Sequence, residues 1–556
     1  MQIRKYKVNM NQTEKKQLVG GFFITLFFLL SVKFIDASCL TYDTSIARGL
    51  IKGDITGEPN PYVMFINFVF SKATAVLYGI NPIINWFSLL IIASLFFPIW
   101  ALVYKTISTS KGLLWKILAV GVILGGILLF YGNSLVEIGY TDCASLAGVI
   151  AVTYLMMTEE VKIKDVIIFL LLLIICFGLR LNVFLELSPF FFVAVAMHFK
   201  AIKNKKALYI PFICGALAIG MMYGIDQAAY KGDYARQVEL NALRAQIQDY
   251  NGWVDYNEYA QQFSELGIDE LEYNTMKICW GLTEHYNKDT LTTIISFNKE
   301  KQSTAERLRH AVSLIEKMID EDYSAGVWIL LGVSFLTVFF FFIRKKEYKA
   351  LITTASIYAF SVLEVAYLAW GGRTPARVTR APLALAAFCG VIILLKNSEF
   401  DKKKQYYLLS AILIIMGMFC IGAVRVIQSK SAERANEIEL VRYMQDDSEH
   451  LYCVHGLREP IDIINPSTNH NLYFQGWFGA TVQWSETVCG EYDDIWTAIA
   501  NRPELRFIIN RKYVDVMISN LEKRGFNCIA ESEAVFKNEG TKEYTIWRIV
   551  NRGGYD

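Results

Sequence analysis

The topology of this chain depends on residues 41–87, which read TYDTSIARGLIKGDITGEPNPYVMFINFVFSKATAVLYGINPIINWF. The stretch begins as a polar loop around Asp43 and becomes apolar from Pro61 to Gly79, a run long enough to cross a hydrocarbon core about 30 Å thick. Polar residues interrupt the apolar pattern, as they would on a helix that lies in the membrane interface. They are Asn60, Asn67, Ser71, Lys72 and Thr74. Whether Pro61–Gly79 crosses the bilayer determines the side on which every later segment lies.

The composition is that of a polytopic membrane protein. Of the 556 residues, 54% are hydrophobic and only 19% are charged. Mostly apolar runs of roughly 18–24 residues, each long enough for a transmembrane helix, recur along the chain. We predict an all-α polytopic membrane protein with about eleven spans. These lie at Leu18–Ile35, Ile83–Tyr104, Leu113–Tyr131, Cys143–Met157, Val166–Leu179, Val183–Phe199, Ala207–Ile225, Ala325–Ile343, Ala350–Trp370, Ala381–Leu395 and Tyr406–Ile427.

The lysine-rich loops indicate the orientation. If residues 1–17 form a cytoplasmic leader and Pro61–Gly79 is not a span, every short basic loop lies in the cytoplasm, as the positive-inside rule requires. These loops carry Lys105, Lys111, Lys116, Lys162, Lys164, Lys200, Lys203, Lys205, Lys206, Arg344, Lys345, Lys346, Lys349, Lys396, Lys402, Lys403 and Lys404. We therefore expect a multi-pass protein of the cell membrane with a retained first span and with interfacial helices in the first external loop, residues 36–82. The alternative is that Pro61–Gly79 spans the bilayer and a re-entrant element lies elsewhere.

The same topology divides the chain into a transmembrane domain, residues 18–427, and an external tail, residues 428–556. A large polar loop, residues 226–323, interrupts the transmembrane domain on the outside and contains helix-like runs. In the tail, HLYCVHG, LRFIIN and YTIWRIV are typical of short strands, while KYVDVMISNLEKRG indicates a helix that ends at a glycine. We expect the tail to be a small α/β domain.

Several functional classes lack any support in the sequence. The ten cysteines include no CxxC pair and the six histidines are scattered, so neither a disulfide scaffold nor a metal cluster is indicated. There is no GxGxxG motif, no Walker loop and no basic groove with interleaved aromatic residues, so we expect no nucleic-acid partner.

Ionisable residues are instead concentrated at the predicted outer ends of the spans. They are Asp43, Glu137, Asp142, Arg180, Glu186, Arg373, Arg377 and Arg380. Charged groups close to hydrocarbon are costly, so they usually pair or bind a ligand. The pattern predicts a polar site that faces outward.

The layout resembles the GT-C class of glycosyltransferases, which take sugars from polyprenyl-phosphate lipids. The resemblance rests on an acidic residue in a short external loop after the first span, a pair of surface-lying helices and then many spans. The segment YDTSIARGLIKGDITGEPNPYVMFINFVF also looks like loops in polytopic proteins of low-GC Gram-positive bacteria. The resemblance to the GT-C class implies a lipid-linked sugar donor, an extracytoplasmic glycan or glycolipid acceptor, and membrane lipids as partners.

Carried over by residue, Asp43 corresponds to the family's loop acid, and Asp142 or Glu137 to the second-loop acid that some members use. Many relatives carry paired acids where Thr44 follows Asp43 here. That departure leaves open whether a divalent metal takes part. No other cofactor is implied.

Transfer from a lipid phosphate requires a carboxylate near the acceptor hydroxyl and cations near the departing phosphate. Arginine suits the second role because its planar fork binds phosphate oxygens bidentately and stays charged. We predict catalysis by Asp43, with Asp142 and Glu137 as further candidates. The predicted substrate-binding residues are Lys52, Arg180, Arg373, Arg377 and Arg380.

Each candidate also has a purely structural interpretation. Asp43 and Asp142 are suitable helix caps, and Arg373 and Arg377 could be membrane anchors or ion-pair partners. Arg180 is expected to pair with Glu186. Two further residues are ambiguous or discounted: Glu364 is either a buried functional acid or a partner of an arginine, and Arg244 is expected to be a solvated helix residue.

The functional alternatives are a transporter or flippase of a lipid-linked sugar, and a polysaccharide polymerase or ligase that uses the same lipid chemistry. Transporters often show internal repeats and charges at the bilayer midplane. This chain shows no convincing repeat, and its ionisable residues lie near the outer surface. An enzyme is therefore favoured.

Overall fold

The computed structural model describes residues 11–32, 37–39, 42–110, 112–204, 206–278, 282–301, 303–345, 348–396, 402–433, 435–457, 461–463, 471–474, 477–537 and 543–553. Residues 1–10 of the predicted leader lie outside the described residues, as do Lys111, Lys205 and Lys346. The described chain is mostly helical, with a small mixed β-sheet near its C-terminus.

The described part of the first 230 residues contains ten α-helices and a pair of two-residue strands. The helices are α1 (Gln12–Ser31), α2 (Tyr42–Lys52), α3 (Phe68–Ile80), α4 (Trp86–Thr109), α5 (Leu113–Tyr131), α6 (Tyr140–Met157), α7 (Ile163–Leu179), α8 (Leu181–Met197), α9 (Phe199–Asn204) and α10 (Tyr209–Ala229). The strands are β1 (Ser38–Cys39) and β2 (Glu137–Ile138), which pair in parallel.

The remaining helices up to the C-terminal sheet fall into two groups. The loop after α10 holds α11 (Asp233–Ala245), α12 (Ala260–Glu265), α13 (Glu270–Ile278), α14 (Lys288–Lys301) and α15 (Thr304–Lys317). It has a hydrophobic core of its own around Phe263, Tyr273 and Ile294. The following helices are α16 (Ala325–Lys345), α17 (Tyr348–Trp370), α18 (Ala376–Lys396), α19 (Lys402–Glu433) and α20 (Ala435–Asp446).

Six helical segments among the described residues are long and apolar enough to cross a membrane. They are Trp86–Thr109, Leu113–Tyr131, Tyr140–Met157, Tyr209–Ala229, Leu351–Trp370 and Ala376–Ile393. A seventh results if the sharply bent pair Thr304–Glu321 and Ala325–Phe339 counts as one span. Multiple apolar helices of this kind are consistent with a multi-pass membrane protein. The other predicted spans coincide with α1, α7, α8 and α19, of which α7 and α8 have 17 residues each.

Helix α6 is the centre of the helical region, and 94% of its residues are buried. Small residues allow neighbours to approach it: an added Cβ at Gly148 would collide with Leu187 of α8 and with Cys176 of α7. Helix α10 is the opposite case, since only 11% of the residues in its 18-residue apolar stretch are buried. Its apolar residues therefore face outward, as expected for a helix at the lipid boundary.

One end of the helical region is lysine-rich. Lys105 forms an ion pair with Asp165 at 2.8 Å, and Lys164 forms one with Glu14 at 2.7 Å. At the same end, a ring nitrogen of His198 lies 2.9 Å from the carbonyl oxygen of Leu155. The ends of α4, α6 and α8 therefore lie together with the starts of α1 and α7.

The first loop, the loop after α10 and the tail meet at the opposite end. Phe68 N donates to Asp226 Oδ1 at 2.7 Å, and Ile461 N donates to the Ala37 carbonyl at 2.9 Å. Asn520 of the tail donates to Thr275 Oγ1 at 2.7 Å. The three regions that we predicted to be external therefore contact one another at one end of the molecule.

The segment Pro61–Gly79 contains a short helix and no span-length one. Helix α3 has 13 residues, which extend about 20 Å at 1.5 Å per residue, less than a hydrocarbon core. It begins at an Asn67 cap whose side chain accepts a hydrogen bond from Val69 N. This length agrees with the expectation that the segment does not cross the bilayer.

The tail contains a five-stranded sheet with the strand order β4-β3-β5-β7-β6. Its strands are β3 (Leu451–Val454), β4 (Asn471–Phe474), β5 (Leu505–Ile508), β6 (Cys528–Phe536) and β7 (Tyr544–Asn551). Strands β4, β3 and β5 are parallel, whereas β7 runs antiparallel to β5 and β6. The helices of this region are α21 (Val482–Cys489), α22 (Ile495–Asn501) and α23 (Arg511–Lys523).

The three predicted strands and the predicted helix of the tail are confirmed. HLYCVHG contains β3, LRFIIN contains β5 and YTIWRIV falls on β7. The helix is α23, and Gly525, which follows it at a φ of 90°, supplies the left-handed backbone that commonly terminates helices.

Candidate functional site

A short parallel strand pair connects the two loops that carry the predicted acids. Ser38 of β1 is in register with Glu137 of β2, and Ser38 N donates to the Val136 carbonyl at 2.8 Å. The loop that leads to Asp43 is therefore fixed beside the loop that leads to Asp142. The two candidate acids belong to one region although about a hundred residues separate them.

Asp43 lies in the first turn of α2 and is partly buried. The apolar face of α2 holds it in place, since Ile46, Ala47 and Ile51 are fully buried. A carboxylate in the first turn is favourable because the backbone N–H groups there are unpaired and the helix dipole is positive. Asp43 is the second residue of the helix, so the alternative interpretation of Asp43 as the residue that caps the helix is not what the structure shows.

Several charged residues surround the Asp43 carboxyl. Burial raises the pKa of Asp43, the charges of Arg377, Arg244 and Arg180 oppose this rise, and the charge of Asp249 adds to it. The three arginines come from three separate parts of the chain: α18, α11 and the break between α7 and α8. We refer to Asp43 with Arg180, Arg244 and Arg377 as the arginine cluster.

Asp142 is paired with an arginine from α18. Arg380 Nη1 lies 2.5 Å from Asp142 Oδ1, and the side chains are 12% and 1% exposed. Arg380 also lies 5.4 Å from the ring of Tyr131. The charges of Arg377 and Glu137 act on the same carboxyl, and Glu137 is itself buried. Arg377 is thus within electrostatic range of both Asp43 and Asp142.

The four predicted outer arginines differ in their partners. Arg373 Nη1 lies 2.9 Å from Asp249 Oδ2, and Arg380 is held by Asp142. Arg180 lies over the ring of Phe65 at 4.4 Å and near that of Tyr140 at 5.9 Å. Among the described residues, Arg180 and Arg377 form no ion pair and no side-chain hydrogen bond. The two guanidinium groups act on Asp43 through their charge and are not held by a direct ion pair within the described chain.

Lys52 is not part of the arginine cluster. It lies at the far end of α2, about 13 Å along the axis from Asp43, and forms an ion pair with Asp54 at 2.7 Å. Burial lowers its pKa, and Asp54 opposes that effect. The prediction that Lys52 binds substrate together with the arginines receives no geometric support.

Two further expectations are wrong. Arg180 does not pair with Glu186: the Oε1 atom of Glu186 is buried without a hydrogen-bond partner among the described residues, and the charge that acts on this side chain is that of Glu364. Arg244 is not a simple solvated residue, because it is partly buried and acts on Asp43. The run VELNALRAQIQDY predicts a helix but contains no signal that its arginine faces another part of the chain.

The sequence also gives no indication of a cluster of three aromatic residues, Phe65, Tyr140 and Trp477. The Phe65 ring lies parallel to that of Tyr140, with centroids 6.5 Å apart, and meets Trp477 of the tail edge-on at 5.5 Å. Because Arg180 lies over Phe65, this contact connects the tail to the arginine cluster. Aromatic residues in apolar stretches give no indication of such a role.

The chemistry of the arginine cluster suits an anion better than a metal cation. Among the described residues, no group of three His, Cys, Asp or Glu side chains could hold a metal ion. Asp43 is surrounded by three positive charges, which would repel a divalent cation. The arrangement can instead bind phosphate or carboxylate oxygens close to a carboxyl group.

No family model and no curated protein matches this chain. The functional conclusion therefore rests on the geometry of the arginine cluster and its neighbours.

Proposed function

We propose that the chain is a membrane glycosyltransferase of the GT-C type, with about eleven spans and a cytoplasmic leader. It moves a sugar from a polyprenyl-phosphate donor to an extracytoplasmic glycan or glycolipid. The observation that carries this proposal is that the charges of Arg180 and Arg377 act on the Asp43 carboxyl, while neither guanidinium group forms an ion pair within the described residues. A base near guanidinium groups that no direct ion pair engages is the arrangement that transfer from a lipid phosphate requires.

In the proposed reaction, the acceptor hydroxyl attacks the sugar carbon that is bonded to the donor phosphate. A carbon–oxygen bond forms to the acceptor, and the bond to the phosphate oxygen breaks with its electron pair. Asp43 takes the hydroxyl proton. Arg180 and Arg377 stabilise the additional negative charge on the leaving polyprenyl phosphate.

The environment of Asp43 suits this role. An efficient general base has a pKa closer to the working pH than that of an ordinary carboxyl group. Burial moves the pKa of Asp43 in this direction, and the charges of the neighbouring arginines limit the rise. Asp142 is less suited to act as the base because its contact with Arg380 already engages it.

The direct test is transfer by the purified full chain in lipid nanodiscs. The probes are polyprenyl phosphates that carry different hexoses or pentoses, with membrane glycolipids from bacteria as acceptors. The expected result is release of free polyprenyl phosphate that depends on both acceptor and protein. Failure to release it from any such donor, with protein that is demonstrably folded, would contradict the proposal.

A transporter of a lipid-linked sugar is the second candidate, and one observation favours it. Glu186 of α8 and Glu364 of α17 interact electrostatically, and α8 and α17 are in contact through the rings of Phe190 and Phe360. Unneutralised acids within membrane helices are typical of ion and proton pathways. Protein-dependent movement of a fluorescent polyprenyl-phosphate sugar across liposomes, without transfer, would favour this function.

A further inference from the structure

A cavity of about 340 Å³ lies beside the arginine cluster and is lined by no residue of α2. It is enclosed by the segment before α3, the break between α7 and α8, the end of α10, and α11. Arg180 is the residue that the cavity shares with the arginine cluster. The volume lies within the range of about 300–1,000 Å³ that is typical of small-molecule sites.

Some polar side chains that line the cavity already form hydrogen bonds within the protein, and others do not. Asn67 uses its side chain to bind Val69 N and the Met222 carbonyl, and the Tyr230 hydroxyl donates to the Val63 carbonyl at 2.9 Å. In contrast, the side chains of Asn182 and Gln227 make no hydrogen bond to another described residue.

Asp226 has one oxygen engaged, by Phe68 N at 2.7 Å, and no described partner for the other. With Arg180, these side chains leave one cation, one carboxylate oxygen and two amides to bind a ligand. This combination suits a phosphate together with a polyhydroxylated ring, because amides and carboxylates bind hydroxyl groups and arginine binds phosphate.

One wall of the cavity is formed by α10 and α11. It includes Tyr223 and Val238, whose side chains are 47% and 39% exposed. Tyr223 belongs to α10, the span whose apolar residues are the least buried of the six. A ligand attached to a lipid chain could therefore reach the cavity sideways from the bilayer while its chain stays in contact with α10.

We propose that this cavity binds the phosphate-linked sugar headgroup of a membrane lipid. Arg180 contacts the phosphate, and Asn182, Asp226 and Gln227 contact the sugar hydroxyls. The inference rests on the proposed function for the identity of the lipid, but it assigns a binding site that lies outside the contacts of Asp43. It also makes Gln227 and Asn182 determinants of sugar specificity.

The test compares binding of polyprenyl phosphate with binding of polyprenyl-phosphate hexose by the full chain in nanodiscs. Ala235 lines the cavity and is exposed, so Ala235→Trp fills the cavity without removing a polar group. The matched control is Ala242→Trp, at an exposed position two turns further along α11 and outside the lining. We expect the binding affinity for both lipids to fall by about tenfold or more in Ala235→Trp and to stay unchanged in the control.

Gln227→Leu isolates the sugar contact. We expect it to weaken binding of the hexose-bearing lipid by about tenfold and to leave binding of bare polyprenyl phosphate unchanged. Unchanged binding of both lipids in folded Ala235→Trp would overturn the proposal. So would equal competition by water-soluble hexose phosphate, which would show that the lipid chain is irrelevant.

A photoreactive polyprenyl phosphate provides a readout on the unmodified protein. Crosslinks should fall on the segments that line the cavity, residues 64–67, 177–182 and 223–238, and crosslinks confined to other regions would overturn the assignment even if Ala235→Trp does not fold. The transfer assay separates the two proposals. Transfer without labelling of these three segments refutes the cavity alone, whereas labelling and lipid binding without transfer refute the proposed enzyme alone.

Discussion

Arg380 and Asp142 are 238 residues apart in the chain and form an ion pair in which Nη1 lies 2.5 Å from Oδ1. The pair connects α18 to the first turn of α6, the most buried of the candidate spans. It orients the segment that carries Arg377 relative to the loops that carry Glu137 and Asp43. One contact between distant helices therefore helps to assemble the arginine cluster.

The first prediction concerns the stability that this pair provides. Arg380→Met leaves Asp142 buried without its cation, and we expect the free energy of unfolding to fall by about 3–5 kcal/mol. The double variant Arg380→Met/Asp142→Leu should recover much of that loss because no buried charge remains. Thermal or chemical unfolding in detergent would measure both. A single variant as stable as the unchanged chain would show that the pair is dispensable.

Asp43 is expected to be needed for transfer and not for folding. Asn at position 43 keeps the shape and hydrogen-bonding capacity of the side chain but cannot accept the proton, so Asp43→Asn should lose roughly 10²–10⁴-fold in turnover. The assay is sugar transfer by the purified variant, with thermal unfolding measured in parallel. Near-normal turnover in the folded variant would remove Asp43 from the mechanism and redirect attention to Asp142 and Glu137.

The same residue should produce a dependence of stability on pH. In the unfolded chain the pKa of an Asp carboxyl is about 3.9, and burial raises the pKa of Asp43 above this value in the folded protein. Between these two pKa values the folded state binds more protons than the unfolded state. The contribution of Asp43 to the free energy of unfolding is therefore fully present below the pKa of the unfolded state and is lost as pH rises through the pKa of the folded state. Asp43→Asn should therefore unfold at the same or a higher temperature at neutral pH. A lower unfolding temperature for Asp43→Asn at neutral pH would contradict this sign.

The outer arginines should separate into two functional classes. Arg377→Gln and Arg180→Gln remove cations that have no described anionic partner, so each should weaken binding of the donor phosphate by about ten- to a hundredfold and barely change stability. Arg373→Gln is the matched control, because Arg373 is engaged by Asp249. Binding of polyprenyl phosphate in nanodiscs measures the difference. Equal losses in all three variants would refute the distinction.

The orientation can be tested with single introduced thiols on a cysteine-free background. Asp255 is exposed in the loop after α10, and Glu159 is exposed at the lysine-rich end of the helical region. An impermeant thiol reagent added to intact cells should label Asp255→Cys and spare Glu159→Cys until the cells are opened. Labelling of Glu159→Cys from outside would invert the proposed topology.

Local sequence patterns were sufficient for the long apolar helices, for the strands β3, β5 and β7, and for α23. An apolar run long enough to cross a bilayer is expected to be helical, because a segment in lipid must satisfy its own backbone hydrogen bonds. These features depend on neighbours a few positions away along the chain. The prediction that residues 61–79 do not form a full span came instead from the one-sided distribution of the basic loops, and the polar residues around Asn67 are compatible with it. Helix α3 has only 13 residues.

The partners of the charged side chains were decided only by the tertiary structure. The sequence by itself predicted that arginines and acids gather at one set of span ends, but it could not pair Arg380 with Asp142 or Arg373 with Asp249. It also placed Arg244 in solvent and Lys52 with the arginines. An ion pair requires two atoms within about 4 Å, and helix packing between segments more than a hundred residues apart sets that distance. The choice of which arginines remain available to a ligand therefore belongs to the assembled fold.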